Sequence, residues 1–310
     1  MFNYRIAAIV PCHNEAGAIA KVVEDLQTAV PEMTVFVYDN NSTDGTGRIA
    51  QETGAVVRYE HQRGKGNVIR RALADIDADI YVIIDGDDTY DASAVPLMIK
   101  TLLEGPYDQV TGVRKQQTES AYRAGHELGN RAFNAAVGRI FGFPVNDMLS
   151  GFRVFSRRFV KSFPAVSRAF EIETELTVHA INARVPQAEV PVHFRDRAEG
   201  TESKLRTYHD GFRIFGMIMK LVHHERPLLM YSLIGALLAV VGLILGIPLI
   251  VTFIQTGLVP KLPTAVLASS LFVLSVLSLM IGIVLDGLRK IRQENARIVY
   301  LSLPIPGAPA

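Results

Sequence analysis

Ile80-Tyr81-Val82-Ile83-Ile84-Asp85-Gly86-Asp87-Asp88 decides how this chain folds. Five residues without polar alternation predict a strand buried on both faces, which a sheet achieves only when helices cover it above and below. Acidic residues follow at once, so carboxylates emerge at the strand's carboxyl end. Upstream, strand-like runs at Ile6–Val10, Thr34–Tyr38 and Val56–Tyr59 alternate with helical patterns over Ala16–Ala29, from Ser42-Thr43-Asp44 onward, and over Asn67–Ile76. Asn14 and Asp91 are read as helix caps. Downstream come a helix to Leu103, a strand near Gln109–Val113, a helical region from Ser120 to Phe141, and a helix carrying Glu171, Glu173 and Glu175. This rhythm predicts an α/β fold, a mostly parallel, Rossmann-like sheet with helices on both faces. Ligands bind such sheets at the carboxyl ends of the strands. The polar clusters His13-Asn14-Glu15, Asp39-Asn40-Asn41 and Asp85-Gly86-Asp87-Asp88 fall there.

The C-terminal third reads differently. Leu228–Ile254 and Leu262–Leu285 carry no charged side chain, and about 20 apolar helical residues cross a bilayer core. The expected organisation is a catalytic domain over 1–199, an amphipathic region over 200–227 lying in the membrane interface, a two-helix hairpin over 228–286 and a tail over 287–310. Lys204, Arg206, Arg213, Lys220 and Arg226 precede the hairpin; Arg289, Lys290, Arg292 and Arg297 follow it; the link between the spans holds only Lys261. The positive-inside rule then puts both flanks, and both termini, in the cytoplasm. Gly235, Gly242 and Gly246 are small enough to bring helices of two copies together, so a homo-oligomer is expected. A net charge of +1 argues against nucleic acid as a partner. The N-terminus leads into a strand without a signal peptide. The one cysteine, Cys12, excludes an internal disulfide and reads as a small packed residue.

Several motifs bear on chemistry. Asp85 and Asp87 after an apolar strand suit a hard divalent cation, Mg²⁺ or Mn²⁺, which bridges diphosphate oxygens. Asp39, ending the second strand, can accept hydrogen bonds from a base. Gly64-Lys65-Gly66-Asn67 permits close backbone approach and offers a cation, without P-loop spacing. Taken singly, each reads as turn chemistry. Taken in order with Asp147-Met148-Leu149-Ser150-Gly151-Phe152-Arg153, Phe170–Glu175 and Gly200–Leu205, they are specific. The chain resembles the inverting family 2 glycosyltransferases of GT-A fold, in particular the polyprenyl-phosphate group that includes dolichol-phosphate mannose synthase. The resemblance covers about Ile6–Arg226, and the two apolar helices match a tail common in that group.

The resemblance implies roles for individual residues. Pro11, Asn14, Glu15, Asn41, Lys65, Gly66 and Gly86 would line the nucleotide-sugar pocket, Asp39 would read the base, and Asp85 would lie by the ribose and diphosphate. The metal would be held by Asp87 with Asp85 and Thr89, the last standing where relatives often carry glutamine. Arg114 would neutralise phosphate, and Asp147 occupies the place of a base in relatives that act on hydroxyls. Arg123 or Arg131, with Ser150, Arg153, Arg195, Arg197 and Lys204, would receive the acceptor phosphate. The implied reaction moves a hexose or N-acetylhexosamine from a nucleotide diphosphate sugar, UDP before GDP-mannose, to polyprenyl phosphate at the cytoplasmic membrane face. Alternatives are transfer to a lipid or protein hydroxyl, and a non-catalytic membrane accessory of glycan assembly.

Overall fold

A computed structural model describes residues 4–116, 146–165, 172–195, 219 and 223–305. The helical region expected over 120–141 and most of the expected interfacial segment lie outside these. Seven strands form one sheet: β1 (Ile6–Cys12), β2 (Thr34–Asp39), β3 (Val56–Tyr59), β4 (Ile80–Ile83), β5 (Gln109–Gln116), β6 (Arg153–Ser156) and β7 (Gln187–Phe194), in the order β3-β2-β1-β4-β6-β5-β7. Only β6 runs antiparallel to its neighbours; the remaining pairs are parallel. The helices are α1 (Ile19–Ala29), α2 (Thr46–Glu52), α3 (Lys65–Asp75), α4 (Val95–Glu104), α5 (Arg157–Ser162), α6 (Ile172–Asn182), α7 (Pro227–Thr256) and α8 (Leu262–Leu301).

Strand periodicity separates two apolar layers. Ile6, Ala8 and Val10 of β1 pack on one side of the sheet with Val22, Val23 and Leu26 of α1 and Met98 and Ile99 of α4. Ala7 and Ile9 face the other way, against Val68, Ile69 and Ala72 of α3 and Leu176 of α6. Every residue of β4 is buried, as its unbroken apolar run requires. Burying each such side chain contributes about 1.5–3 kcal/mol, so the central strands are rigid supports for whatever their ends carry.

Several boundaries depart from the sequence reading. Asn14 does not cap α1: the N-cap position is Ala18, which offers no side-chain cap. Asn14 instead adopts a left-handed φ of 58°, and its carbonyl accepts from the Thr43 amide at 2.8 Å. Asp91 does cap, accepting from the Ser93 amide at 3.0 Å. Strands β6 and β7 carried no clear signal. β6 is four residues long, and β7 alternates exposed and buried positions around Pro191.

The C-terminal helices belong to two compact units. Met1–Thr207 and Asn295–Ala310 form one, and Tyr208–Glu294 the other. In the second unit, α7 and α8 are long and apolar enough to cross a membrane, and their most apolar windows are only 6% and 17% buried. A soluble core helix would be covered. Inside this hairpin the glycines serve close approach: a Cβ on Gly235 would stand 3.0 Å from the Ser275 carbonyl, and one on Gly242 would stand 3.2 Å from the Phe272 ring. Ser278 donates across to the Tyr231 carbonyl at 2.8 Å. Two of the three glycines expected to join copies are therefore occupied within one chain; Gly246 has only an ordinary contact with Ala268.

In the first unit the end of α8 packs on the sheet. Tyr300 is buried and donates to Asp108 at 2.7 Å. Asp108, fully buried ahead of β5, also accepts from Ser156 and from two nitrogens of Arg158. The Arg158 guanidinium lies 4.7 Å from the Tyr300 ring centre, and Arg297 donates to the Ala183 carbonyl. Burial, reinforced by the bond to Asp108, pushes the Tyr300 hydroxyl up to about 12, so it remains a donor at every working pH. Tyr300→Phe should lower stability by about 1–3 kcal/mol, the cost of a lost bond to a buried charge, measured by denaturant unfolding.

His179 supplies a second stability test. It packs edge-on against Phe159 and Phe163, its Nε2 is 3.1 Å from Ser162 Oγ, and burial lowers its pKa to about 4. The unfolded chain therefore binds a proton that the folded chain refuses between about pH 6.5 and 4. The stability this residue contributes is complete above that window and falls with pH inside it, by up to about 1.4 kcal/mol per unit. His179→Phe should flatten that part of the pH–stability curve.

Candidate active site

The site is assembled where β1, β2 and β4 end together. Asp39 closes β2, 5% exposed, and accepts from the Ser42 amide at 2.8 Å. Gly47 is required beside it, since a Cβ there would stand 2.8 Å from Asp39 Oδ2. Asn40 straps the neighbouring loop: its amide nitrogen donates to the Glu60 and Gln62 carbonyls, both at 2.8 Å, and its oxygen accepts from Gly64 N at 2.7 Å. Asn41, in a left-handed turn, donates to the His61 carbonyl at 2.8 Å. Asn14 holds the β1 loop to the same turn, and the Glu15 amide donates to Thr46 Oγ1 at 2.9 Å. Pro11 pairs with Tyr38 in the ladder. The residues expected around a nucleotide therefore converge on one sheet edge. Asn40 was not singled out from sequence, because side-chain bonds to backbone carry no periodic signature.

The acidic loop comes next. Gly86 lies against β1, where a Cβ would stand 2.5 Å from Cys12 Sγ. Burial pushes that thiol well up, so Cys12 is packing, as its sequence context suggested. Lys65, the first residue of α3, is not an open cation. Its ammonium sits between Asp85 and Glu173. Burial pulls it down, but the two carboxylates outweigh burial and hold it above its ordinary value. Thr89 was expected to ligate a metal; instead it is 3% exposed and spends its hydroxyl on Asp87 Oδ1 at 2.6 Å, so it orients Asp87. Asp88, at φ 57°, meets Lys21 of α1 at 2.8 Å and Arg195 at 3.7 Å. The Arg195 amide donates to the Thr89 carbonyl at 2.8 Å, stitching the loop to the end of β7.

On the other side lie residues expected at the acceptor phosphate, and here the geometry differs from expectation. Arg114 and Asp147 form a two-pronged pair, with Nε and Nη2 each 2.7 Å from a carboxylate oxygen. The guanidinium lies 5.4 Å from the Phe194 ring centre. A carboxylate engaged this way orients the arginine and is poorly placed to act as a base. Ser150 is fully buried and donates to the Gly112 carbonyl at 2.6 Å. Arg153 is 1% exposed; it donates to the Ser150 carbonyl at 2.9 Å, the Met148 carbonyl at 2.7 Å and Thr177 Oγ1 at 2.8 Å. Burial lowers its pKa. Both side chains are turned into the fold and hold the loop from beneath. An arginine that satisfies a loop's carbonyls looks, in sequence, like one that binds phosphate. Arg123, Arg131, Arg197 and Lys204 lie outside the described residues.

Among the described residues no three His, Cys, Asp or Glu side chains form a ready cage for a metal. Mg²⁺ commonly takes one or two carboxylates and completes its shell with water and substrate phosphates. Asp85 and Asp87, hard oxygen donors on one loop, fit that pattern.

Comparison with known proteins agrees with this geometry. Residues 7–163 match Glycosyl transferase family 2. The glycosyltransferase AglJ of Haloferax volcanii is 30% identical over 294 residues, 94% of this chain and 96% of that protein. The undecaprenyl-phosphate 4-deoxy-4-formamido-L-arabinose transferase of Shewanella sediminis is 24% identical over 256 residues, 79% of this chain and 74% of that one. Glucosyl-3-phosphoglycerate synthase from Mycobacterium tuberculosis, in complex with Mn²⁺, UDP and glucosyl-3-phosphoglycerate, superposes with a TM-score of 0.58 at 25% identity, covering 71% of this chain and 79% of that one.

Gly151 provides a geometric test of the site. A Cβ there would stand 2.4 Å from Asp85 Oδ2, while its amide donates to the Tyr90 hydroxyl at 3.0 Å. Gly151→Ala should therefore displace Asp85, lower stability by about 1–3 kcal/mol and weaken nucleotide binding, seen as a smaller ligand-induced rise in melting temperature.

Proposed function

The chain belongs to glycosyl transferase family 2, and on that premise we propose that it moves a hexose or N-acetylhexosamine, with inversion, from a nucleotide diphosphate sugar to a polyprenyl phosphate at the cytoplasmic face of a membrane. The observation that carries this reading is one chain holding a family 2 catalytic domain together with two long apolar helices that protein leaves uncovered. A transferase with a soluble acceptor has no use for them. The relative named for undecaprenyl phosphate favours a lipid phosphate, and the UDP in the neighbouring complex favours UDP over GDP.

In this reading Asp39 recognises the base and the Asn40-strapped loop shapes the nucleotide pocket. Asp87, oriented by Thr89, and Asp85 would hold Mg²⁺ or Mn²⁺, and the bound cation would supply positive charge toward the departing diphosphate. The acceptor phosphate is already an anion near neutral pH, so no strong base is needed. One of its oxygens forms a bond to the sugar's anomeric carbon as the carbon–oxygen bond to the diphosphate breaks, and the nucleoside diphosphate leaves with that electron pair. Arg114, held by Asp147, and Arg195, at the end of β7, are the described cations suited to draw the second anion in. Geometry supplies much of the rate.

Radiolabelled UDP-sugars and GDP-mannose, offered with undecaprenyl phosphate to the full-length protein, should give a glycolipid labile to mild acid. A product that survives mild acid indicates a hydroxyl acceptor and overturns the lipid-phosphate assignment. Asp87→Asn should cut turnover by at least about 10²-fold while leaving the melting temperature within a few degrees.

A further inference from the structure

Three charged side chains meet beneath the acidic loop, and their charges do not cancel. Lys65 Nζ lies 2.5 Å from Asp85 Oδ1 and 2.5 Å from Glu173 Oε1, so one cation serves two carboxylates. Lys65 and Glu173 are 9% and 7% exposed at the side chain, whereas Asp85 is 29% exposed and is the member a ligand can reach. Glu173 is also imperfectly satisfied: its second oxygen, Oε2, is buried without a hydrogen-bond partner. Keeping a carboxylate in that condition is costly, and an uncharged side chain at this place on α6 would avoid the cost. Glu173 also acts on the buried Arg153 guanidinium, but Lys65 is the cation it touches, and that contact divides Lys65.

We propose that Glu173 is a positioning residue which, by sharing Lys65, leaves net negative charge on Asp85 for the Mg²⁺ or Mn²⁺ that accompanies a nucleotide diphosphate. The proposal rests on the transferase reading of the site. With Glu173 ionised, the trio carries one net negative charge and presents it at its exposed member. Without it, Lys65 pairs with Asp85 alone, and the loop loses attraction for a cation.

Mn²⁺ binding to the full-length protein, read by electron paramagnetic resonance with UDP present and again with GDP, tests this without turnover. Glu173→Gln should raise the Mn²⁺ Kd about tenfold. The double variant K65M/E173Q removes the cation as well and should return the Kd to within about threefold of the wild type. A Glu173→Gln value within about twofold of the wild type overturns the proposal, and so does a double variant that binds no tighter than the single one. Glu173→Asp withdraws the charge by one methylene and should bind with intermediate strength. If Glu173→Gln does not fold, an Asp variant indistinguishable from the wild type overturns the proposal instead. Wild-type protein that binds Mn²⁺ with neither nucleotide sinks the transferase reading itself, an outcome separate from any difference among variants.

Discussion

Four carboxylates, Asp85, Asp87, Asp88 and Asp91, follow within one short loop after β4, and the way their mutual repulsion is met governs the architecture around them. Each has its own counterweight. Lys65 faces Asp85, Thr89 donates to Asp87, Lys21 and Arg195 face Asp88, and the Ser93 amide and Arg195 meet Asp91. The charged partners come from α3, α1 and the end of β7, elements far apart in sequence, while Thr89 and Ser93 act from within the same stretch. The loop is thus fixed from several sides by charge, on top of a strand whose apolar burial makes it immovable. In the proposed reaction, a nucleotide diphosphate arriving with its cation would meet a surface organised beforehand, which is what electrostatic catalysis requires.

Sequence made the scaffold legible wherever local chemistry had one solution. The unbroken apolar run of β4 predicted the sheet, and the polar clusters at the ends of β1 and β2 meet at one edge of it, as expected. It failed where one residue type has two uses. Arg153 and Ser150 stand in a motif that invites a phosphate, yet both point inward and satisfy backbone carbonyls. Arg114 and Asp147 were read as separate agents and are one ion pair. Thr89 looked like a ligand and is an orienting hydroxyl. For Ser150, Arg153 and Arg114 a partner from a distant stretch of chain (Gly112, Thr177 and Asp147) turns the side chain, whereas Thr89 meets Asp87 within one loop; linear spacing cannot show which way a side chain turns. The short β6 and half-exposed β7 were missed for a related reason, because sheet position, not strand pattern, makes them strands.

The buried polar groups form a second layer of organisation. Arg153 ties Met148 and Ser150 to α6 through Thr177, and Thr177 in turn donates to the Glu173 carbonyl at 3.0 Å. The loop bearing Asp147 and the helix bearing Glu173 are therefore linked through a single guanidinium. Movement of α6 would be felt at both the Asp85 side and the Arg114 side of the site.

The contact between Tyr300 and Asp108 changes where the catalytic domain ends. Asp108 precedes β5, the strand that carries Arg114, and its carboxylate is completed by Tyr300, from the last turn of α8. A fragment cut before the first apolar run would keep the whole stretch that the family model matches, yet it would leave the buried Asp108 without Tyr300 and remove that ring from the apolar face of the sheet. The apolar hairpin and the catalytic domain are thus interleaved along the chain, and a workable fragment without the hairpin would need the last helical turns grafted back.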